Sequence, residues 1–108
     1  MAAAELRPLG STGILVSPVA LGCWPISGMT SIDVNEADSL ATIKAAIDSG
    51  ISFLDTAFAY GANGESEQLI ARAIEGRRDR VVIATKGGIC WAADGSRVID
   101  GRAETVRR

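Results

Sequence analysis

The sequence predicts an α/β fold in which parallel strands alternate with helices, and three observations lead there. Two short runs, Ile51 to Leu54 and Val81 to Ala84, are apolar at successive positions but for Ser52, the pattern of parallel strands covered on both faces. The segments before and between them carry apolar residues at helical spacing and close on glycine. Each run then leads into an ionisable side chain, Asp55 after ISFL and Lys86 after VVIAT, and the ends of strands are where α/β proteins carry their chemistry.

The elements follow in order. Two apolar pieces between Leu6 and Val16 surround Gly10, Ser11, Thr12 and Gly13, which predicts a hairpin over about 6–16. PVALG, beginning at Pro18, reads as a short buried strand closed by Gly22. A loop with Trp24, Pro25 and Gly28 follows. From about Asn35, Ala37, Leu40, Ile43 or Lys44, and Ile47 fall on one helical stripe that stops at Gly50, with Ser31 and Asp33 as candidate caps. After the strand ending at Asp55, a second helix runs from Glu65 to Glu75 with Leu69, Ile70, Ala73 and Ile74 on its apolar side, preceded by Asn63 and Gly64 and ended by Gly76. The strand into Lys86 completes a βαβαβ unit over about 18–86, followed by a loop containing Trp91 and by Ala103 to Arg108 as the opening turns of a helix. Such alternation implies parallel βαβ units.

Composition narrows the function classes. With 47% hydrophobic and 22% charged residues in 108, the chain has the balance of a soluble globular domain rather than a disordered one. A net charge of −2, with basic clusters only at Arg77, Arg78, Arg80 and at Arg107, Arg108, gives no footprint for nucleic acid. Glu5 and Arg7 interrupt the N-terminal apolar stretch before a signal-peptide core forms, and no run approaches the roughly 20 apolar residues of a membrane span. The expected location is therefore the cytoplasm, with no membrane partner. Cys23 and Cys90 form no CxxC pair, so neither a metal site nor a disulfide framework is expected.

Two architectures fit the alternation, a doubly wound sheet and a (β/α)₈ barrel. LGCWPISG lacks the GxGxxG spacing of a dinucleotide-binding doubly wound domain, and no GxxxxGK[ST] is present. A barrel takes roughly 200 residues or more, so this chain would supply only part of one.

Asp55, Tyr60 and Lys86 can work together. A phenol, with an ordinary pKa near ~10, becomes a usable general acid when an ammonium beside it favours the phenolate. A carboxylate beside that ammonium holds it in place. Each residue also has a plain structural explanation: Asp55 as a cap, Tyr60 as a half-buried aromatic, Lys86 as a solvated lysine before Gly87 and Gly88. Three such explanations are needed at once.

DSGISFLDTAFAYGANGESEQLIARAIEGRRDRVVIATKGG resembles the first half of the aldo-keto reductase signature: a glycine-led strand giving DTA, then YG, a helix opening near SE, and a strand ending in TK. LRPLGSTGILVSPVALGCW is similar to the hairpin that plugs the barrel floor in that family and to its first barrel strand. The resemblance implies the N-terminal portion of a (β/α)₈ TIM barrel, an N-terminal β-hairpin plus about three parallel strands. It also implies NADPH bound at the carboxyl ends of the strands and a small-molecule carbonyl substrate. By the same resemblance Tyr60 would protonate the carbonyl oxygen, Lys86 would tune it and Asp55 would pair with Lys86, while Gly22, Cys23, Trp24 and Asp55 would lie against the nicotinamide. Trp24 could equally anchor its loop, and Trp91 could line a substrate pocket or cover the barrel mouth. The family's fourth catalytic residue is a histidine on the next strand, and this chain has none. Residues 1–108 are accordingly expected to be a truncated barrel segment, incomplete and inactive alone, with an exposed apolar sheet edge that favours association. The remainder of the barrel would be needed in the same or another chain. A non-catalytic cofactor-binding or half-barrel assembly module is the alternative.

Overall fold

The computed structural model describes residues 5–28 and 33–107; the predicted cap Ser31, and Arg108 at the end of the predicted last helix, lie outside them. The chain opens with β1 (Arg7–Pro8) and β2 (Leu15–Val16), an antiparallel pair in which Arg7 faces Val16. Then β3 (Ala20–Gly22), β4 (Phe53–Asp55) and β5 (Val82–Ala84) form a parallel sheet in the order β3-β4-β5. α1 (Glu36–Asp48) connects β3 to β4, and α2 (Glu65–Ala73) connects β4 to β5.

The register explains where the core sits. Leu21, Leu54 and Ile83 are in line across the three strands, and all three pack into one cluster with Ile43 of α1, Ile70 and Ala73 of α2, Cys23, Ile26 and Val81. Their neighbours along each strand turn to the other face. Those rows, Ala20, Phe53, Val82 and Gly22, Asp55, Ala84, receive no helix. Of the two apolar runs, Leu54 is fully buried but Phe53, Val82 and Ile83 are only half-buried. Coverage on both faces is therefore not met within this chain, because both helices lie on one side. Likewise PVALG is not a buried strand: Ala20 and Gly22 are exposed, since β3 has a neighbour on one side only.

The cap and stripe of α1 differ from expectation as well. Asn35, rather than Asp33, caps the helix by accepting the Asp38 N–H at 2.8 Å. Asp33 instead adopts a left-handed backbone, φ 61°. The buried positions are Ser39 and Ile43, flanked by Leu40 and Ile47, while Ala37 and Lys44 face solvent. Ser39 tolerates burial because its hydroxyl donates to the Ile26 carbonyl at 3.1 Å.

The β1–β2 hairpin is pinned to the amino end of the sheet. Ser17 N–H donates to Ser52 Oγ at 3.1 Å and Ser52 N–H to Ser17 Oγ at 2.9 Å, a reciprocal pair just before β4. The carboxyl end is thereby left to the loops. There the segment after Lys86, expected to be a loop, forms a second antiparallel hairpin, β6 (Ile89–Trp91) and β7 (Arg97–Ile99). Asp94-Gly95 makes its turn: Gly95 has φ 84° and the Asp94 carboxylate accepts both the N–H and the hydroxyl of Ser96. The Asp-Gly pair was the available turn signal. A short helix, α3 (Ala103–Val106), ends the described residues.

Candidate functional site

The three residues singled out from the sequence meet at the carboxyl end of the parallel sheet. Lys86 Nζ lies 2.5 Å from Asp55 Oδ1 and donates to the Thr56 carbonyl at 2.9 Å. The same ammonium sits 5.3 Å from the centre of the Tyr60 ring, within cation–π range. Both members of the ion pair are about half exposed, 54% for Lys86 and 48% for Asp55. The Asp55 hydrogen bond is the main reason the Lys86 pKa rises above its ordinary value; partial burial opposes it, and the Asp55 charge and Tyr60 add to the rise. Lys86 is therefore a firmly held cation.

Main-chain bonds beyond the strand ends set this geometry. The ladder continues from Thr56 N–H to the Ala84 carbonyl at 2.8 Å and from Phe58 N–H to the Lys86 carbonyl at 3.1 Å. A tight turn follows, Tyr60 N–H donating to the Ala57 carbonyl at 3.1 Å, and Gly61 takes φ 103° to leave it. The backbone thus returns Tyr60 toward Lys86.

Trp24 is brought to the same place. Its ring meets that of Tyr60 edge-on, centroids 4.8 Å apart at 85°, an arrangement favoured by the ring quadrupoles. Gly22 shares a row with Asp55, is exposed, and a Cβ added there would meet nothing within 4 Å. Gly22, Trp24 and Asp55 thus leave an open, partly aromatic surface that a flat ring can approach. Cys23 behaves differently. Its thiol is fully buried among the core residues and its N–H and carbonyl are engaged by Asp55 and Ser66. It therefore presents no side-chain surface to a ligand at this face. Burial first, and then the Asp55 charge, push the thiol up to about 11.

Trp91 is held apart from this cluster. Its indole N–H donates to the Ala59 carbonyl at 2.9 Å, tying the β6–β7 hairpin to the segment before Tyr60. With Phe58, Gly88, Cys90 and Val106 it lines a cleft of about 340 Å³. Asp55, Tyr60 and Lys86 are not in that cleft's lining.

Residues to which the sequence assigns no part in the site are also here. Thr56 and Ser66, both buried, share a hydrogen bond of 2.8 Å, and Ser66 Oγ donates to the Cys23 carbonyl at 2.9 Å. Thr85 donates to Glu67 at 2.5 Å. Ser66-Glu67 is the SE pair noted in the sequence, but its partners are distant along the chain.

The model of the aldo/keto reductase family matches residues 18–108. Aldo-keto reductase YhdN of Bacillus subtilis is 43% identical over 89 residues, which is 81% of this chain and 27% of that protein. A 6-dehydroglucose reductase of Novosphingobium aromaticivorans is 41% identical over 93 residues, covering 77% of this chain and 29% of the relative. Among solved structures, the putative aldo-keto reductase PA4992 of Pseudomonas aeruginosa superimposes with a TM-score of 0.76 at 40% identity, over 95% of this chain and 38% of that one. The chain thus spans roughly a quarter to two fifths of the proteins it matches.

Proposed function

The chain belongs to the aldo/keto reductase family, its fold is the N-terminal portion of a (β/α)₈ barrel, and from that premise we propose that it forms part of an NADP(H)-dependent oxidoreductase. The reaction is the reduction of an aldehyde or ketone to an alcohol. The observation that carries this reading is the placement of the Lys86 ammonium between the Asp55 carboxylate, at 2.5 Å, and the Tyr60 ring, at 5.3 Å. The 6-dehydroglucose reductase among the relatives adds support for a carbonyl substrate.

Each side chain has one task. Tyr60 donates its phenolic proton to the substrate's carbonyl oxygen as negative charge develops there. Lys86 stabilises the phenolate left behind, its own positive charge secured by Asp55. Asp55 and the Thr56 carbonyl fix the ammonium so that its approach to Tyr60 costs no reorganisation. When bound, the nicotinamide cofactor supplies the hydride. Gly22, Trp24, Asp55 and the backbone at Cys23 are the residues here that would hold its reactive ring. Their open surface beside Tyr60 fits such a group.

The chain has no histidine, so a fourth catalytic group and the rest of the barrel would come from further polypeptide. Residues 1–108 are read as one segment of that barrel, in a cytoplasmic enzyme. No helix among the described residues is long and apolar enough to cross a membrane.

The test is NADPH oxidation driven by an aldehyde, in the whole protein that carries this chain, for wild type and Tyr60→Phe. Loss of the general acid lowers turnover by about 10²–10⁴-fold. Equal rates in the two proteins would remove Tyr60 from the mechanism.

A further inference from the structure

We propose that Ser66 and Glu67, the adjacent pair in the first turn of α2, are positioning residues that clip the carboxyl ends of all three parallel strands and so set the geometry of the candidate site. The proposal rests on the reductase reading for its kinetic consequences, but its structural basis is independent of it.

Strand alternation divides the residues at the carboxyl end into two sets. Gly22, Asp55 and Ala84 form the last paired row, on the face away from the helices. The next residue of each strand is Cys23, Thr56 or Thr85, and each turns toward the helices. Every one of these three is bonded by the α2 pair: Ser66 Oγ to the Cys23 carbonyl at 2.9 Å, Ser66 Oγ to Thr56 Oγ1 at 2.8 Å, and Glu67 Oε1 to the Thr85 hydroxyl at 2.5 Å. Each clipped residue adjoins a candidate site residue in sequence: Cys23 precedes Trp24, Thr56 follows Asp55, and Thr85 precedes Lys86. A further bond from the Ser66 backbone N–H reaches the Tyr60 carbonyl at 3.0 Å. Two consecutive residues therefore touch every segment that carries the site.

The direction of these bonds is determined. A serine hydroxyl has one hydrogen, and that of Ser66 goes to the Cys23 carbonyl, so Thr56 is the donor in the Thr56–Ser66 bond. The Thr56 hydroxyl is thus oriented from the helix side while its carbonyl accepts Lys86 on the other. Ser66, Thr56 and the Cys23 side chain are all essentially inaccessible to solvent, so water cannot replace a lost bond without rearrangement. Neither Ser66 nor Glu67 touches Lys86, Asp55 or the Tyr60 hydroxyl in these bonds. Both act through other residues.

The experiment uses the whole protein carrying this chain, with Ser66→Ala, Glu67→Ala and Glu67→Gln, whose amide oxygen can still accept from Thr85. Two readouts are taken. The first is kcat and KM for aldehyde reduction per folded molecule, with Tyr60→Phe alongside. The second is amide hydrogen exchange of the cofactor-free protein, by mass spectrometry, at Cys23–Trp24, Asp55–Tyr60 and Thr85–Lys86. A site misplaced by a fraction of an ångström is expected to lose kcat by about tenfold or more in the two alanine variants, with substrate KM within about twofold. Glu67→Gln is expected to retain kcat within about twofold because the acceptor remains. Exchange rises at the strand ends and not in α1 or the β1–β2 hairpin. Unchanged kcat and exchange in both alanine variants overturns the clip, as does exchange that rises evenly over the chain, which marks Ser66 and Glu67 as general stabilisers. Glu67→Gln falling as far as Glu67→Ala overturns the part assigned to Glu67. Fully active Tyr60→Phe removes Tyr60 from the mechanism and leaves the clip untouched, whereas no aldehyde-dependent NADPH oxidation in the wild type refutes the reductase reading, and the exchange data then decide the clip alone. Should Ser66→Ala fail to fold, the half-buried Glu67 variants carry the test.

Discussion

Alkaline pH should destabilise this fold through a single buried thiol, Cys23. Its side chain is fully inaccessible and lies in the main core cluster, and burial is the first cause of the rise in its pKa from 9.0 to about 11, followed by the Asp55 charge. The unfolded chain ionises Cys23 near pH 9, while the folded chain resists ionisation until near pH 11. The folded state therefore holds more protons in between, and stability falls as pH rises. The stabilising contribution is complete below pH ~9 and lost by pH ~11, a change of about 3 kcal/mol at about 1.4 kcal/mol per pH unit. Lys86 acts in the same direction, since its raised pKa means its contribution is whole below ~10.4 and fades as pH passes the folded value. The control that separates them is Cys23→Ala, which keeps Lys86. Urea unfolding followed by circular dichroism at pH 8, 9, 10 and 11 gives the two profiles. At pH 8 the variant is less stable by about 1–2 kcal/mol for the lost sulfur and its cavity. The gap closes and reverses toward pH 11. Parallel profiles would refute the reasoning, because they would mean that the thiol ionises equally in both states.

Two further outcomes follow from the same geometry. Asp55→Asn leaves an oxygen near Lys86 but removes the charge; because both side chains are about half exposed, folding free energy should change by under about 1 kcal/mol. Aldehyde reduction should nevertheless fall by about tenfold or more, so a variant with normal kcat/KM would contradict the role given to the pair. Gly61→Ala puts a Cβ against Glu65 Oε2 and 2.8 Å from the Glu65 Cβ, at φ 103°, and should lower stability by about 1–3 kcal/mol. Gly10→Ala, at φ 56° with nothing near the added Cβ, should cost only about 1 kcal/mol, a ranking that thermal unfolding of both variants checks.

Local patterns carried much of the architecture. The stripe Leu69, Ile70, Ala73 and Ile74 is the buried side of α2 and its neighbourhood as expected, because a single helical period dominates that segment. Around α1 the signal was weaker: neither Ser31 nor Asp33, the candidate caps, is the capping Asn35, and its buried stripe includes Ser39, a polar residue whose burial depends on the Ile26 carbonyl 13 residues away. The β6–β7 hairpin was missed although Asp94-Gly95 announced a turn, since three-residue strands with exposed Arg97, Val98 and Ile99 give almost no alternation to read. The inward position of Cys23 was available from strand parity, being two residues beyond Leu21. The family resemblance instead places Cys23 with Gly22 and Trp24 against the nicotinamide, whereas its side chain turns into the core.

By itself the sequence determined that helices and parallel strands alternate and that Asp55, Tyr60 and Lys86 lie at or beyond strand ends, because hydrophobic period and glycine punctuation are short-range properties. Only the tertiary structure decided which of these side chains meet. The Asp55–Lys86 pair joins residues 31 apart and the Ser66–Cys23 bond residues 43 apart. Such contacts depend on strand register and on the face each residue takes across the sheet, which no local spacing encodes.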